Sequence, residues 1–291
     1  MKIGIVGAEN SHTVAIAKTL NIEKAVPGVE VTHVWGETAE YAEKAAKDGQ
    51  IPNIVQNAPD MIGAVDGVAV DHRHAKYHLP AAKPFVEAGV PVFVDKPFCI
   101  DLKEGIDFVK LARARNVPIS SYSVLPLQES AAEFREAMKG VGKLRSFVTA
   151  GPVEIESQYG GVYFYGIHQV DFMLSLMEAT PLNVSTTRQG DDGIATVAFD
   201  SGAFGIVHCL KGWSGGFTGT VFGDEGAYHH HSALAWDKNI YLTGIRTFCR
   251  MFETKQEPVK PSSYLRPVAV LAAMQESFNT GKTVAVASVE I

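Results

Sequence analysis

The sequence has few cysteines, no long apolar run and no excess of positive charge, and each absence excludes a class of protein. Cys99, Cys209 and Cys249 form no disulfide framework and no C-x-x-C pair, which is typical of a reducing compartment. No run of about 18 apolar residues exists, so no transmembrane helix is expected. The net charge of −6 lacks the basic footprint that binding to a phosphate backbone needs. We therefore expect neither nucleic acid nor a membrane as a partner.

The first residues also lack the features of a secretory signal. The segment 1–12, MKIGIVGAENSH, has too short an apolar stretch and is followed by no small-residue cleavage site. Together with the cysteine usage, this predicts a cytoplasmic protein.

The sequence does contain the composition of a folded protein, with 46% hydrophobic and 20% charged residues in 291. Up to residue 120, short apolar runs alternate with helix-forming segments. The predicted strands are Lys2–Val6, Val29–Trp35, Gly67–Val70, Val90–Val94 and Val117–Ser120, with a short additional one at 53–55. Nearly continuous apolar strands between helices predict a parallel sheet covered on both faces, as in the doubly wound nucleotide-binding fold.

The second half has a different pattern. Helices are predicted at 127–138, 165–177 and 264–279, and four closely spaced strands at 182–187, 193–199, 203–210 and 217–222. Such short spacings favour an antiparallel sheet. The predicted fold is thus an α/β protein with a Rossmann domain at 1–122 and an α+β domain with an open, mostly antiparallel sheet at 123–291.

The first strand-to-helix turn has an incomplete dinucleotide fingerprint. Gly7 occupies the first glycine position of G-x-G-x-x-G, but Glu9 and His12 occupy the other two. Asn10 and Ser11 could still cap the helix and donate to a phosphate. A turn without any ligand is an equally open interpretation.

The end of the second strand bears on the choice of cofactor. Glu37 is the nearest carboxylate there and could accept a ribose hydroxyl, or could simply belong to the first turn of the next helix. No Arg or Lys follows the strand directly to receive a 2′-phosphate. We therefore expect NAD rather than NADP.

Two residues are candidates for catalysis. Lys96 follows a buried strand at the edge where parallel sheets bind ligands, and its ammonium could polarise a carbonyl. His168 has the proton affinity for transfer near neutral pH, and Asp171 lies on the same helical face. The alternatives are a solvated lysine and a buried histidine bonded to backbone.

Histidine clusters are the only candidates for metal binding. They are His72, His74 and His78, and the run His229-His230-His231. Neither has the companion spacing that makes a zinc signature strong, so no metal is predicted.

Taken in order, several segments resemble the Gfo/Idh/MocA oxidoreductase family. They are KIGIVGAEN at the start, VFVDKPF where the family has Glu-Lys-Pro, GGVYFYGIHQVDFM where it has G-x-H-x-x-D, FDSGAFGIV, and VLAAMQESFNTGKTVAV near the end. The resemblance implies a Rossmann domain, a second domain for substrate binding and oligomerisation, and a nicotinamide cofactor. It also implies hydride transfer to or from a sugar-like or polyol substrate, and a homodimer or homotetramer.

The resemblance further assigns residues. Lys96 corresponds to the family's motif lysine and His168 to its catalytic histidine. The cofactor contacts we predict are Gly7, Ala8, Glu9, Asn10, Ser11, His12, Glu37, Asp71, His72, His78, Asp95 and Lys96.

Three departures from the family pattern leave alternatives open. The glycine turn is altered, Asp71-His72-Arg73 replaces a Thr-Pro turn, and Phe164 stands where many members have an Asp before the histidine. With that Asp missing, we predict that Tyr165 orients His168 or contacts the substrate oxygen beside Lys96; the alternative is that it only packs. A redox-inactive sensor of sugars or nucleotides, or a lyase using Lys96 and His168, are alternative functions.

Overall fold

The computed structural model describes residues 1–230 and 238–291. The chain divides into two compact units, one formed by residues 1–122, 241–261 and Ile291 and the other by 123–240 and 262–290. The first segment of the first unit ends at residue 122, where the domain boundary was predicted. Residues 241–261, however, lie in the first unit, whereas the prediction placed them in a domain at 123–291.

The first unit is built on a six-stranded parallel sheet. Its strands are β1 Lys2–Val6, β2 Glu30–Trp35, β3 Asn53–Ile54, β4 Gly67–Val70, β5 Val92–Val94 and β6 Ile119–Ser120. They lie in the order β3-β2-β1-β4-β5-β6, and every pair is parallel. This is the strand order of a doubly wound dinucleotide-binding fold, so the predicted fold class of this half is confirmed.

Helices connect these strands. They are α1 Ser11–Ala17, α2 Ala39–Gly49, α3 His78–Glu87 and α4 Leu102–Ala114, and α7 Leu242–Thr254 belongs to the same unit. Asp101 caps α4 by accepting the N–H of Glu104, as the capping-box spacing predicts.

The sequence analysis missed α7, and its aromatic residues explain why it packs in the first unit. Phe248 stacks on Phe93 of β5 with ring centroids 4.9 Å apart. Phe252 lies over Gly67, where an added Cβ would come within 2.4 Å of its ring. Burial of two phenylalanine side chains stabilises this packing by about 2–3 kcal/mol each.

The second unit is built on a seven-stranded mixed sheet. Its strands are β7 Leu144–Pro152, β8 Pro181–Gln189, β9 Asp192–Phe199, β10 Phe204–Leu210, β11 Thr218–Gly223, β12 Ala227–His229 and β13 Val284–Ala285, and its helices are α5 Glu129–Ala137, α6 Tyr163–Leu176 and α8 Pro261–Thr280. The order is β12-β11-β7-β10-β9-β8-β13, and among the described strands only the pair β7–β10 is parallel. The predicted mostly antiparallel sheet is confirmed, although β7, β12 and β13 were not foreseen.

The two faces of this sheet differ in what covers them. One face packs on helices, for example Gly205 against Met173 of α6, where an added Cβ would lie 2.1 Å from the sulfur. On the opposite face Ile194, Phe204 and Phe222 are exposed. Among the described residues, no helix has the length and apolar character to cross a membrane.

Candidate functional site

Gly7 ends β1 and allows the first turn to pass close to the chain after β4. Its φ is +113°, and a Cβ there would lie 2.7 Å from the backbone carbon of Asp71. A side chain at this position therefore collides with fixed backbone. The glycine is required by the protein's own packing, and replacing it disturbs more than a ligand contact.

Glu37 closes the same turn from the end of β2. Its Oε2 accepts the backbone N–H groups of Ala8 at 2.8 Å and Glu9 at 3.0 Å. Ala8 and Glu9, both predicted as cofactor contacts, therefore use their backbone N–H groups to bind this carboxylate. The Glu9 side chain lies 4.0 Å from Arg73, a cation that offsets its charge.

The other oxygen of Glu37 has a different environment. Oε1 is buried and has no hydrogen-bond partner in the described part of the chain. The Glu37 residue is one of those that line a cavity of about 410 Å³; the lining residues are Trp35, Gly36, Glu37, Thr38, Ala39, Ala42, Glu43, Ile54, Val55 and Gln56. A buried acceptor without a donor is costly, so a hydroxyl group entering this cavity would find a ready partner.

His12, in the first turn of α1, forms a cluster with the buried residues Asp71 and Asp95, which follow β4 and β5. Nδ1 of His12 lies 3.0 Å from Oδ2 of Asp95 and 3.9 Å from Oδ1 of Asp71. Asn10 joins both carboxyl groups, because its Nδ2 donates to Asp71 Oδ1 at 2.8 Å and to Asp95 Oδ2 at 3.2 Å. His12, Asp71 and Asp95, which were predicted to contact the cofactor, therefore contact one another or Asn10 in this structure.

The contacts of Thr13 favour a proton on Asp71. Thr13 Oγ1 lies 2.8 Å from the carbonyl oxygen of Gly7 and 2.6 Å from Asp71 Oδ2, and one hydroxyl proton can serve only one of them. When Thr13 donates to the carbonyl, which only accepts, a hydrogen bond to Asp71 needs a proton on that carboxyl group. Burial and the neighbouring charge of Asp95 raise the pKa of Asp71 well above its ordinary value. Burial also acts to raise the pKa of Asp95, but the charges of His12 and Lys96 outweigh it and hold that pKa below its ordinary value.

The cluster also has the composition of a cation site, since one ligand atom from each of its three residues lies within 4.8 Å of the others. Asn10 and Thr13 already satisfy these atoms, however, and a proton on Asp71 removes one negative charge. The absence of a metal thus remains a prediction, and this cluster gives no reason to change it.

The other predicted histidines have backbone or side-chain partners. His78 is fully buried, with Nδ1 and Nε2 each 2.8 Å from a carbonyl oxygen, of Pro97 and His72 respectively. This burial does not fit the predicted cofactor contact for His78; the imidazole links two turns. His74 accepts the backbone N–H of Lys76, and His229 is hydrogen-bonded to the hydroxyl of Thr220. His231 lies outside the described residues.

His72 and Lys96 flank the cluster in different environments. His72 is 6% exposed, and burial together with the charge of His78 lowers its pKa to about 4. Lys96 follows Asp95 directly and is only partly buried, and its charge acts on both Asp71 and Asp95. Lys96 thus stands at the carboxyl end of β5, as predicted, while its contact with a substrate stays a prediction.

In the second unit, α6 positions His168. The helix begins at Tyr163, so Tyr165 and His168 lie on one helical face, with ring centroids 5.9 Å apart. Phe217 contacts the imidazole from the sheet side at 5.1 Å. The Tyr165 ring is 41% exposed, and its role beside His168 remains a prediction.

The residue that binds His168 most closely was not foreseen. Ser123 Oγ lies 2.7 Å from His168 Nδ1, and the backbone N–H of Ser123 donates to Asp171 Oδ2 at 3.0 Å. Asp171 is buried, and burial raises its pKa to about 7 against the opposing effects of the Ser123 N–H and the charge of Arg135. No sequence motif marks Ser123, because 45 residues separate it from His168.

A family model matches the N-terminal part of the chain. Residues 1–123 match the model described as oxidoreductase family, NAD-binding Rossmann fold (GFO_IDH_MocA). For these residues the match confirms the resemblance predicted from the sequence. No curated protein sequence matches the chain.

Solved structures resemble the whole chain. A probable dehydrogenase from Thermotoga maritima is 16% identical with a TM-score of 0.83, covering 98% of this chain and 99% of that one. The scyllo-inositol dehydrogenase of Lactobacillus casei with bound NAD(H) and scyllo-inositol is 14% identical with a TM-score of 0.86, covering 99% of both chains. The myo-inositol dehydrogenase of the same organism, in complex with NAD(H) and myo-inositol, is 16% identical with a TM-score of 0.84, covering 100% of this chain and 98% of that one. At these identities the similarity is one of fold.

Proposed function

Since residues 1–123 match an NAD-binding oxidoreductase family, we propose that the protein is an NAD-dependent dehydrogenase. It transfers a hydride to or from a ring carbon of a sugar-like or polyol substrate. The observation that carries this proposal is the buried, partnerless Oε1 of Glu37 beside the cavity at the end of β2. The polyol substrates of the two inositol dehydrogenases with the same fold support the substrate class.

The cavity fits the adenosine half of the cofactor. Glu37 Oε1 would accept a ribose hydroxyl, and Trp35 and Ile54 would offer apolar surface beside the adenine. Glu37 and Glu43 both line the cavity, so a 2′-phosphate there would meet two carboxylates and no Lys or Arg. This charge pattern supports NAD over NADP.

The pyrophosphate would lie at the N-terminus of α1. Asn10 caps this helix, and Ser11 begins it. The N–H groups of Ala8 and Glu9 are already held by Glu37, so Ser11 and the helix dipole carry more of the phosphate binding than in a glycine-rich turn.

Chemistry at the substrate requires a proton acceptor and a group that stabilises oxygen charge. In alcohol oxidation His168 takes the hydroxyl proton on Nε2, because Nδ1 is engaged with Ser123. Lys96 would donate a hydrogen bond to a substrate oxygen and stabilise developing charge there, an effect typically worth about 3 kcal/mol. The nicotinamide, when bound, accepts the hydride with its two electrons. In carbonyl reduction His168 donates the proton from Nε2 instead, and Lys96 keeps its role of stabilising oxygen charge.

Titration with NADH and NADPH tests the cofactor assignment. We expect nicotinamide fluorescence to change on addition of NADH and much less with NADPH. Glu37→Gln should weaken NADH binding about tenfold, since a charged acceptor is worth more than a neutral one. The exposed Glu40, in the first turn of α2, provides the control variant Glu40→Gln, which should bind NADH as the wild type does.

Turnover distinguishes the alternatives. A panel of cyclitols and sugars with NAD should give NADH absorbance, and Lys96→Ala should lower kcat by a factor of about 100 or more with little change in NADH affinity. Sugar binding without NADH binding would instead indicate a redox-inactive sensor. If product formed without net production of NADH, and Lys96→Ala formed no product, the protein would be a lyase.

A further inference from the structure

Ser123 makes three contacts that together fix its side chain and backbone. Oγ lies 2.7 Å from His168 Nδ1 and accepts the N–H of Leu125 at 3.1 Å, while the Ser123 N–H donates to Asp171 at 3.0 Å. The residue is 1% exposed. His168 and Asp171 lie on one face of α6, so a single residue is bound by two side chains of the same helix.

The hydroxyl can play two roles toward the imidazole. If it donates its proton to Nδ1, neutral His168 carries its own proton on Nε2 and has no lone pair there. If Nδ1–H donates to Oγ instead, Nε2 has a lone pair and can accept a proton from a substrate hydroxyl. The second arrangement persists after the proton arrives, because the imidazolium still donates from Nδ1 to Oγ.

We propose that Ser123 is a positioning residue for His168, which holds Nδ1 and thereby assigns proton exchange with the substrate to Nε2. The proposal rests on the proposed function, in which His168 exchanges that proton. Ser123 supplies the orienting contact that the chain lacks at Phe164, whose side chain accepts no hydrogen bond. Asp171 acts one step further away, by fixing the backbone that carries the hydroxyl.

Two charged groups are linked to this pair. Asp171 contacts Ser123, and Arg135 acts on Asp171 and donates to the carbonyl of Pro126 and the hydroxyl of Ser175. Nδ1 of His168 itself lies 2.7 Å from the neutral hydroxyl of Ser123. The neutral hydroxyl is therefore the group whose removal tests the orientation of His168 most directly.

Three variants test the proposal. Ser123→Ala removes Oγ but keeps the backbone N–H to Asp171, and Ser123→Thr retains a hydroxyl. Ser120→Ala is the matched control. Like that of Ser123, the Ser120 side chain is buried, but its Oγ has no hydrogen-bond partner among the residues described. We expect Ser123→Ala to lower kcat about tenfold to a hundredfold with KM and NADH affinity unchanged, and Thr to recover most of the loss.

A double-variant comparison separates positioning from an independent effect. If Ser123 acts through His168, Ser123→Ala should cost little more in the His168→Ala background. The pH at half-maximal kcat/KM should also shift in Ser123→Ala and not in Ser120→Ala. Equal kcat in Ser123→Ala and Ser120→Ala would overturn the proposal. So would effects of Ser123→Ala and His168→Ala on kcat that are fully additive in free energy.

Nitrogen-15 NMR of histidine-labelled protein provides a readout that does not depend on activity. The His168 resonances, assigned by their loss in His168→Gln, should show one tautomer in the wild type and a tautomer mixture in Ser123→Ala. Identical spectra would refute the proposal even if Ser123→Ala lost activity through misfolding. If the wild type neither bound NADH nor turned over any substrate, the proposed function would fail while this measurement still decided the Ser123–His168 contact.

Discussion

His12 Nδ1 lies 3.0 Å from Asp95 Oδ2, although 83 residues separate the two in the sequence. His12 stands at a glycine position of the dinucleotide turn, and Asp95 stands where the family motif has Glu. Asp71, which replaces a Thr-Pro turn, completes the cluster through Asn10 and Thr13. Departures that look independent in the sequence thus compensate one another in space.

A protonated Asp71 predicts unequal effects of two similar substitutions. In Asp71→Asn the amide can still donate to Thr13 and accept from Asn10, so we expect the free energy of unfolding to change by less than about 1 kcal/mol. Asp95→Asn removes the buried, ionised partner of the partly buried His12 and should cost about 3 kcal/mol. Urea denaturation at pH 7 measures both. A larger loss in Asp71→Asn than in Asp95→Asn would contradict the protonation assigned to Asp71.

Asp171 predicts a pH dependence of stability. Its pKa is raised to about 7 in the folded protein, so the folded state keeps a proton that the unfolded chain releases above about pH 4. The stabilisation is fully present below pH 4 and is lost as pH rises to 7, at up to about 1.4 kcal/mol per pH unit.

Comparison with Asp171→Asn isolates this effect from the other carboxylates. The difference in free energy of unfolding between wild type and variant should shrink as pH rises from 5 to 7, and chemical denaturation at both pH values measures it. Parallel stability curves across this range would mean that Asp171 does not titrate there.

Substitution of Gly7 should lower stability more than substitution of a glycine with open space around it. Gly7→Ala adds a Cβ 2.7 Å from the Asp71 backbone at positive φ, whereas Gly63, with φ +85°, has nothing within 4 Å. We expect Gly63→Ala to cost about 1 kcal/mol from backbone conformation alone, and Gly7→Ala clearly more. Urea denaturation of both variants checks this. Equal losses would show that the turn can move away from β4.

The exposed apolar face of the second sheet predicts self-association. Ile194 and Phe204 are 40% and 43% exposed there, and burying them against a second copy would remove apolar surface from water. Light scattering should give a dimer or tetramer for the wild type and a smaller species for Phe204→Lys. Ile22→Lys, at a residue 45% exposed in the first unit, is the control. A monomeric wild type would disprove the predicted oligomer.

Local patterns in the sequence determined most of the first unit. Continuous apolar strands separated by capped helices are typical of a parallel sheet covered on both faces, because only such a sheet buries both sides of every strand. Lys96, Glu37 and His168 were found for the same reason, since each stands at a recognisable strand end or helix start. The missed strand β7 lies in the sequence between α5 and α6, apart from the closely spaced later strands, and α7 carries no motif.

Tertiary structure alone decided which distant side chains meet. Nothing local to Ser123 marks it as the partner of His168, and nothing local to His12 marks it as the partner of Asp95 and Asp71. Their hydrogen bonds depend on distances that the chain sets only when strands and helices pack, and the proton on Asp71 depends on burial and a neighbouring charge. The sequence thus determined the scaffold and the residue types at its ligand-binding edge. Folding determined their partners and their protonation.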